Sequence, residues 1–244
     1  MAGRVCRSLG SCTMSEFPAT ARTTPTRLRE RAVYDAAQVF AVLDEALICH
    51  LGVVVDGEPL VLPTIHARVG DVLYLHGSTG AHLARLVAQS EQADDGGLPV
   101  CVTVTLVDGL VLARSQFHHS MNYRSVVVRG RATLVKDPAE LDIALHAVVE
   151  HVLRGRSEQS RPGDAKELAA TAVLRVPIVE ASLKQRSGPP SDDPEDVAGG
   201  FWAGVLPVAT GFGDPQPSPD LTPGILVPHH VLAPARRPRS PSPQ

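Results

Sequence analysis

Alternation and helical spacing divide the middle of this chain into short, clearly bounded elements. Val39, Leu43 and Leu47 recur at helical spacing after Asp35, with Gln38 three residues beyond that aspartate as in a capping box, so the pattern predicts a helix over 36–48. The apolar runs LGVVV and EPLVLPTIHA then flank Asp56-Gly57. An Asp-Gly pair tolerates the positive φ that a tight hairpin needs at both central positions, so these runs read as two antiparallel strands. VLYLH (72–76) follows as a third strand, and HLARLVAQS (82–90) reads as a short helix. A second Asp-Gly at 108–109 predicts another hairpin, between VCVTVTLV and LVLARSQF, and RSVVVRGRATLV adds a further strand. Asp137, Pro138 and Glu140 open a helix over 138–154, with Leu141, Leu145, Val148 and Val152 on one face and Gly155 just past its end. Asp164 and Glu167 start another short helix, and TAVLRVPIVEASLKQ (171–185) reads as one long last strand.

Six or more strands joined mainly by tight turns make an antiparallel sheet. Few helices are available to cover two faces, so closure into a small barrel is the expectation: a mainly-β (β+α) protein with peripheral helices. Residues 1–27 are rich in Ser, Thr, Arg and Ala without a hydrophobic period, and 233–244 are Pro/Ser/Arg low complexity. Both ends are predicted to be disordered, leaving 28–232 as one domain.

Composition narrows the function classes. The chain has 244 residues, 43% hydrophobic and 20% charged, with a formal net charge of -3. A general nucleic-acid or anionic-membrane binder normally carries a basic surplus, and none is present. No apolar run approaches the ~20 residues of a membrane span, and the basic N-terminus lacks the apolar core of a secretory leader. The four cysteines show no CxxC spacing. A reduced cytoplasmic protein with no nucleic-acid and no membrane partner is the expectation.

Polar groups concentrate at three strand ends. Pro63-Thr64-Ile65-His66-Ala67-Arg68 closes one strand, where a proline marks an edge or a bulge. His76-Gly77-Ser78-Thr79-Gly80-Ala81-His82 is a strand-to-helix turn whose N–H groups and hydroxyls form an anion site. FHHSMNYRSVVVRG (117–130) packs histidine, asparagine, tyrosine and arginine ahead of an apolar run. Adjacent residues on a strand point to opposite faces, so His118 and His119 do not share a metal, and none is expected. Cys49 beside His50 lacks a third orienting group for thiolate catalysis. Arg124 is open to a second reading as the structural partner of a carboxylate, and Trp202 to one as a seam residue between subunits.

LGVVVDGEPLVLPTIHARVGDVLYLHGSTGAHLARL, FHHSMNYRSVVVRGRATLV and EASLKQRSGPPSDDPED…FWAGVLPV together resemble the pyridoxamine 5′-phosphate oxidase-like, FMN-binding split-barrel superfamily, and within it the branch of the 5-nitroimidazole-resistance flavoproteins. The resemblance implies a homodimer with two FMN sites at the subunit interface. Pro63, Thr64 and Ile65 match the strand bordering the flavin ring, and His76, Ser78 and His82 the phosphate turn. Asn122, Tyr123, Arg124 and Ser125 match the ring's polar edge, with Lys184 and Trp202 as further contacts. His82 stands where relatives carry Lys or Arg, and an imidazole is the poorer phosphate partner. The implied function is an oxidoreductase moving electrons from NAD(P)H through FMN to a small-molecule acceptor, with His66 or His118 as proton donor. Two alternatives stay open: a non-enzymatic flavin or haem carrier or sensor, and true pyridoxamine 5′-phosphate oxidation. The last is disfavoured because the arginines after Trp202 (Arg236, Arg237, Arg239) fall in the low-complexity tail.

Overall fold

A computed structural model of the chain describes residues 15–93 and 96–234. Asp56 and Gly57 both take positive φ, 51° and 83°, and make the predicted tight turn between β2 (Cys49–Val55) and β3 (Glu58–Thr64). Before them come β1 (Ala32–Val33) and α1 (Ala36–Glu45), which starts on the predicted cap as Asp35 accepts from the Gln38 N–H. After them come β4 (His66–Val69), β5 (Val72–Ser78) and α2 (His82–Gln92). Two 15-residue strands follow, β6 (Leu98–Leu112) and β7 (Ser120–Leu134), then α3 (Pro138–Val152) and α4 (Ala165–Ala170). The chain continues through β8 (Thr171–Pro177), β9 (Glu180–Arg186), α5 (Pro194–Val197), β10 (Gly204–Pro207) and α6 (His229–Leu232).

The strands form an antiparallel sheet in the order β3-β2-β6-β7-β8-β5-β4, with β9 beside β7, β1 beside β9, and β10 beside β6. Only Ile65 separates β3 from β4, so the two ends of that order meet at one corner and the sheet curls into a split barrel. Val39, Val42 and Leu43 of α1 plug its interior against Leu51, Val102, Val126, Val128 and Leu183. A smaller core forms under α3, from Val72, Tyr74, Ala144 and Val173.

β7 pairs with β6 along one edge and, along the other, with β9 over 123–129 and then with β8 at 133–134. Gly130 sits at that handover. A Cβ there would lie 2.9 Å from Val176 Cγ1 and 3.1 Å from the Pro177 carbonyl oxygen, so only glycine lets β8 come this close.

Several sequence expectations change. Asp108-Gly109 is not a hairpin turn: β6 runs straight through it with a bulge, and the reversal comes after Leu112. Gly109 is needed because β10 crosses here, and a Cβ would lie 2.9 Å from Val205 Cγ1. The single strand over 171–185 is two, β8 and β9, which belong to different arms of the barrel. The helix over 36–48 stops at Glu45, because Cys49 already belongs to β2.

The N-terminal stretch predicted as disordered packs from Ser15 onward. Phe17 is buried, with its ring edge-on to Phe40 at 5.8 Å. Thr20 and Arg22 both donate to the buried Glu180 carboxylate. The apolar signal there is one phenylalanine, too little to show as a period. Residues 1–14 and the tail over 235–244 lie outside the described residues.

Two tests follow from this packing. Phe17→Ala is expected to cost about 3 kcal/mol of unfolding free energy, as for other buried phenylalanines, measured by urea denaturation. The Thr20 hydroxyl, and then Arg22, hold the Glu180 carboxyl below its usual range against the effect of burial. A depressed folded-state pKa gives stability that is present above the unfolded value and lost as pH falls. Unfolding midpoints measured from neutral pH down through the carboxylate range should therefore fall more steeply in the wild type than in Glu180→Gln.

Candidate functional site

The alternation of β7 builds one surface of the site. Val126 and Val128 point into the core, so Tyr123, Ser125, Val127 and Arg129 point outward. The register lines them up across the sheet: Thr105, Ser125 and Lys184 form one row, and Val107, Tyr123 and Arg186 the next. A third row joins Pro63, His50, Thr103, Val127 and Ser182. Ser125 Oγ lies 2.9 Å from Thr105 Oγ1 and donates to the Val104 carbonyl at 3.2 Å. Pro63, Tyr123, Ser125 and Lys184, all predicted as cofactor contacts, thus share one outer face. Towards the Asp56-Gly57 end this face deepens into a groove of about 900 Å³, lined by Val54, Leu60, Val61, Cys101, Arg129 and others.

The second surface is the turn from β5 into α2, where His76, Ser78 and His82 are all exposed. The Gly80 N–H donates to Ser78 Oγ at 3.2 Å and the Ala81 N–H to the Ser78 carbonyl at 3.0 Å, which tightens the turn. The start of α2 is unlike the starts of α1, α3 and α4. Those begin at Asp35, Asp137 and Asp164, whose carboxylates accept from first-turn N–H groups. α2 begins at Ala81, with no side-chain cap and no acidic residue in its first turn. The first N–H groups of a helix have no intrahelical acceptor, so those of His82, Leu83 and Ala84 face outward with the positive end of the helix dipole. An acidic cap would repel an anion here, and α2 has none.

These two surfaces do not meet within one chain through the sheet. β5 belongs to the arm with β8 and β4, and that arm joins β7 only at 133–134.

Three predicted residues turn inward instead. Arg124 is buried, donating through Nε and Nη2 to Asp108 at 2.9 and 2.7 Å and through Nη1 and Nη2 to Glu45 at 2.5 and 2.9 Å. Burial works against its charge, but the hydrogen bonds and charges of Asp108 and Glu45 outweigh that and raise its pKa. Its guanidinium binds α1 and β6 to β7 and is committed to them. Asn122 donates to the Gly188 carbonyl at 3.1 Å and accepts from Arg186, which fixes the 186–190 loop. His66 is fully buried and donates from Nε2 to the Leu43 carbonyl at 2.8 Å, with its ring 4.6 Å from that of His151. It helps close the C-terminus of α1 and is not placed to hand a proton to a ligand. Ile65 and Thr64 form the β3–β4 corner, both half-buried.

His118 lies outside both surfaces, with Nε2 3.4 Å from Asp193 Oδ2, and together with Asp196 these side chains place three ligand atoms within 4.8 Å of one another. Trp202 is 70% exposed, its ring folded over Gly204. The thiolate reading of Cys49 fails: burial pushes its thiol up to about 12, and His50 points to the opposite face.

The model of the family described as pyridoxamine 5'-phosphate oxidase matches residues 35–185. This chain belongs to that family. Solved structures show the same architecture in relatives. The flavocytochrome Anf3 from Azotobacter vinelandii is 40% identical, with a TM-score of 0.78 over 87% of this chain and 96% of that one. The FAD and heme binding protein from Mycobacterium smegmatis is 36% identical, with a TM-score of 0.76 over 82% and 95%. No curated protein matches the chain.

The family motif around 117–130 combines outward and inward residues, and only the strand register separates them. Arg186 reads in the sequence equally as solvated charge or as a phosphate contact, and the structure ties it to Asn122 and to the Gly188 and Pro189 carbonyls.

Arg124→Ala leaves two carboxylates beside the core without their cation, and is expected to cost about 3 kcal/mol of stability. Urea denaturation of Arg124→Ala and of the Arg124→Ala/Glu45→Gln/Asp108→Asn triple variant checks this. The triple variant should recover part of the loss, whereas a direct cofactor contact would leave stability near that of the wild type.

Proposed function

We propose that this protein binds a flavin nucleotide between two copies of itself and passes electrons from NAD(P)H through the flavin to a small acceptor. The observation that carries this reading is the start of α2, uncapped and free of acid beside Ser78, His76 and His82. It suits a phosphate monoester, because outward N–H groups and hydroxyls satisfy its oxygens and the helix dipole favours its charge. The outer face of β2, β6, β7 and β9 supplies what a flavin ring requires. Val107 and Val127 give apolar contact, and the Ser125 and Tyr123 hydroxyls and the Lys184 ammonium line a hydrogen-bonding rim. Because the two surfaces lie on separate arms of one chain, a second copy is proposed to bring one against the other.

When bound, the flavin supplies hydride acceptance and onward electron transfer. The chain's own residues fix the phosphate, orient the ring against the sheet and exclude water from the seam. FMN is the cofactor that one phosphate turn accounts for. FAD, and haem as an additional group, form a second reading, favoured by the likeness to the FAD and heme binding protein at 36% identity and to the flavocytochrome at 40%.

The absorption spectrum of the purified protein, recorded before and after adding FMN, FAD and NADH or NADPH, tests this reading. Flavin bands bleached by a nicotinamide support the reductase. A flavin that no nicotinamide bleaches supports a carrier or sensor, and a Soret band supports haem. His82→Arg should tighten FMN binding by roughly tenfold, since a forked fixed charge replaces an imidazole. Unchanged or weaker binding in a fluorescence titration would remove His82 from the phosphate site.

A further inference from the structure

A long segment near the C-terminus is fixed at both ends and exposed throughout. At one end β10 pairs with β6, from Gly204 opposite Leu112 to Pro207 opposite Gly109, and the Val208 N–H donates to the Asp108 carbonyl at 3.1 Å. At the other, α6 sets His230 beside Gly155, where a Cβ would lie 3.6 Å from His230 Cβ. Every residue from Leu206 to Val227 is exposed. A solvated linker would show the same, but this composition is not a linker's. Val208, Phe212, Leu221, Ile225, Leu226 and Val227 are large and apolar, and Phe212 is 60% and Leu226 85% exposed. Single apolar residues on a surface are ordinary; six on one strap, three of them consecutive, mark a contact surface. Pro215, Pro217, Pro219 and Pro223 restrict the backbone and remove four N–H donors, so the strap is suited to dock by its side chains rather than to add a strand. It carries Asp214 and Asp220 and neither Lys nor Arg.

The groove at the Asp56-Gly57 end of the outer sheet face is complementary to this strap. One row of the register crosses it: Val61, Gly52, Cys101, Arg129 and Glu180. Gly52 adds no side chain beside Cys101, which gives the groove depth, and Val54, Val61 and Val179 stand exposed along it. Arg22, Arg129, Arg131 and Arg175 line it, and among the described lining residues Glu180 is the one carboxylate. Glu180 is engaged by Thr20 and Arg22, and Arg175 pairs with Glu140 at 3.0 Å. Arg129 keeps a buried Nε that meets no acceptor among the described residues. A buried donor left in that state is costly until an acceptor arrives. Arg129 lies six positions along β7 from Tyr123, roughly 20 Å at the rise of a strand, so this groove is apart from the ring-facing row.

We propose that residues 208–227 of one copy lie in the groove of a second copy, which returns the same contact. The apolar strap residues meet the valine walls, and Asp214 and Asp220 bring carboxylates to a groove with a surplus of arginines. Each copy offers both halves, so a two-fold pair closes on itself. The strap leaves β6 at Gly109, towards the opposite end of that strand from Cys101, and stays exposed although its own groove is present in the same chain. The groove it fits therefore belongs to another copy. The inference rests on the function proposed above for the second copy alone, and needs no flavin.

The test uses flavin-free protein carrying Cys6→Ser and Cys12→Ser, which leaves Cys101 as the groove thiol beside the buried Cys49. Phe212→Cys and Leu226→Cys each place a second thiol on the strap, at positions too exposed to disturb the fold. A short bismaleimide should give a covalent dimer on a denaturing gel, and Cys101→Ser should abolish it. Sedimentation equilibrium supplies the second measurement. Ile225→Ser/Leu226→Ser and, separately, Arg129→Glu should each raise the dimer dissociation constant on the order of tenfold, at unchanged far-UV circular dichroism. Adding Asp214→Lys/Asp220→Lys to Arg129→Glu should recover part of that loss. Crosslinks confined to single chains, a covalent dimer that survives Cys101→Ser, or unchanged dissociation constants in the strap and groove variants would overturn the proposal. If the strap variants separate the copies and the wild type binds no flavin, the flavin reading fails and the strap contact stands. If the wild type binds flavin as a dimer that these variants leave intact, the strap contact fails alone.

Discussion

The strand β7 carries two incompatible environments on its two faces, and most of the molecule is arranged to satisfy both. Its inward positions meet α1 and the barrel core, including Arg124 clamped by Asp108 and Glu45. Its outward positions form a mixed row of hydroxyl, phenol and aliphatic groups, half-buried at Tyr123, Ser125 and Val127. Pairing along both edges, with β6 on one side and β9 and then β8 on the other, fixes which residue faces which way. A slip of one residue would put a guanidinium outside and expose the valines, so the register is strongly specified.

Much of this fold was legible in the sequence. Asp56-Gly57 announced its hairpin because both turn residues must take positive φ, and Asp35 and Asp137 announced their helices because an uncapped N-terminus is costly. The same local logic misled at Asp108-Gly109. There the aspartate is used by Arg124 and the glycine by the approach of β10, two contacts that lie far away in sequence. Pro177 falls inside the run read as one long strand, but β8 ends there and the chain changes arms after it. Local pattern reports turn chemistry, while strand continuity is decided by what crosses the strand.

The site was legible in outline and not in detail. The motif over 117–130 pointed to the right strand, yet it mixes Asn122 and Arg124, which hold the fold, with Tyr123 and Ser125, which face outward. His66 looked reactive in a one-dimensional reading and proves to be a buried partner of a helix terminus. Conversely, the strongest feature of the β5–α2 turn is an absence: the helix starts on alanine where α1, α3 and α4 start on an aspartate that caps them. That signal is readable in the sequence only by comparing the helix starts with one another.

The central claim is that one flavin site draws its phosphate turn from one copy and its ring-facing sheet from another. Mixing two damaged chains tests it most directly. His82→Glu places a repelling charge at the turn, and Lys184→Glu places one on the outer face. Each alone should bind no flavin. After unfolding and refolding together, statistical pairing should restore roughly a quarter of the sites, because each mixed dimer regains one intact pair of surfaces. If the mixture binds no more flavin than either variant alone, both surfaces serve sites within a single chain or no site at all, and the account is wrong.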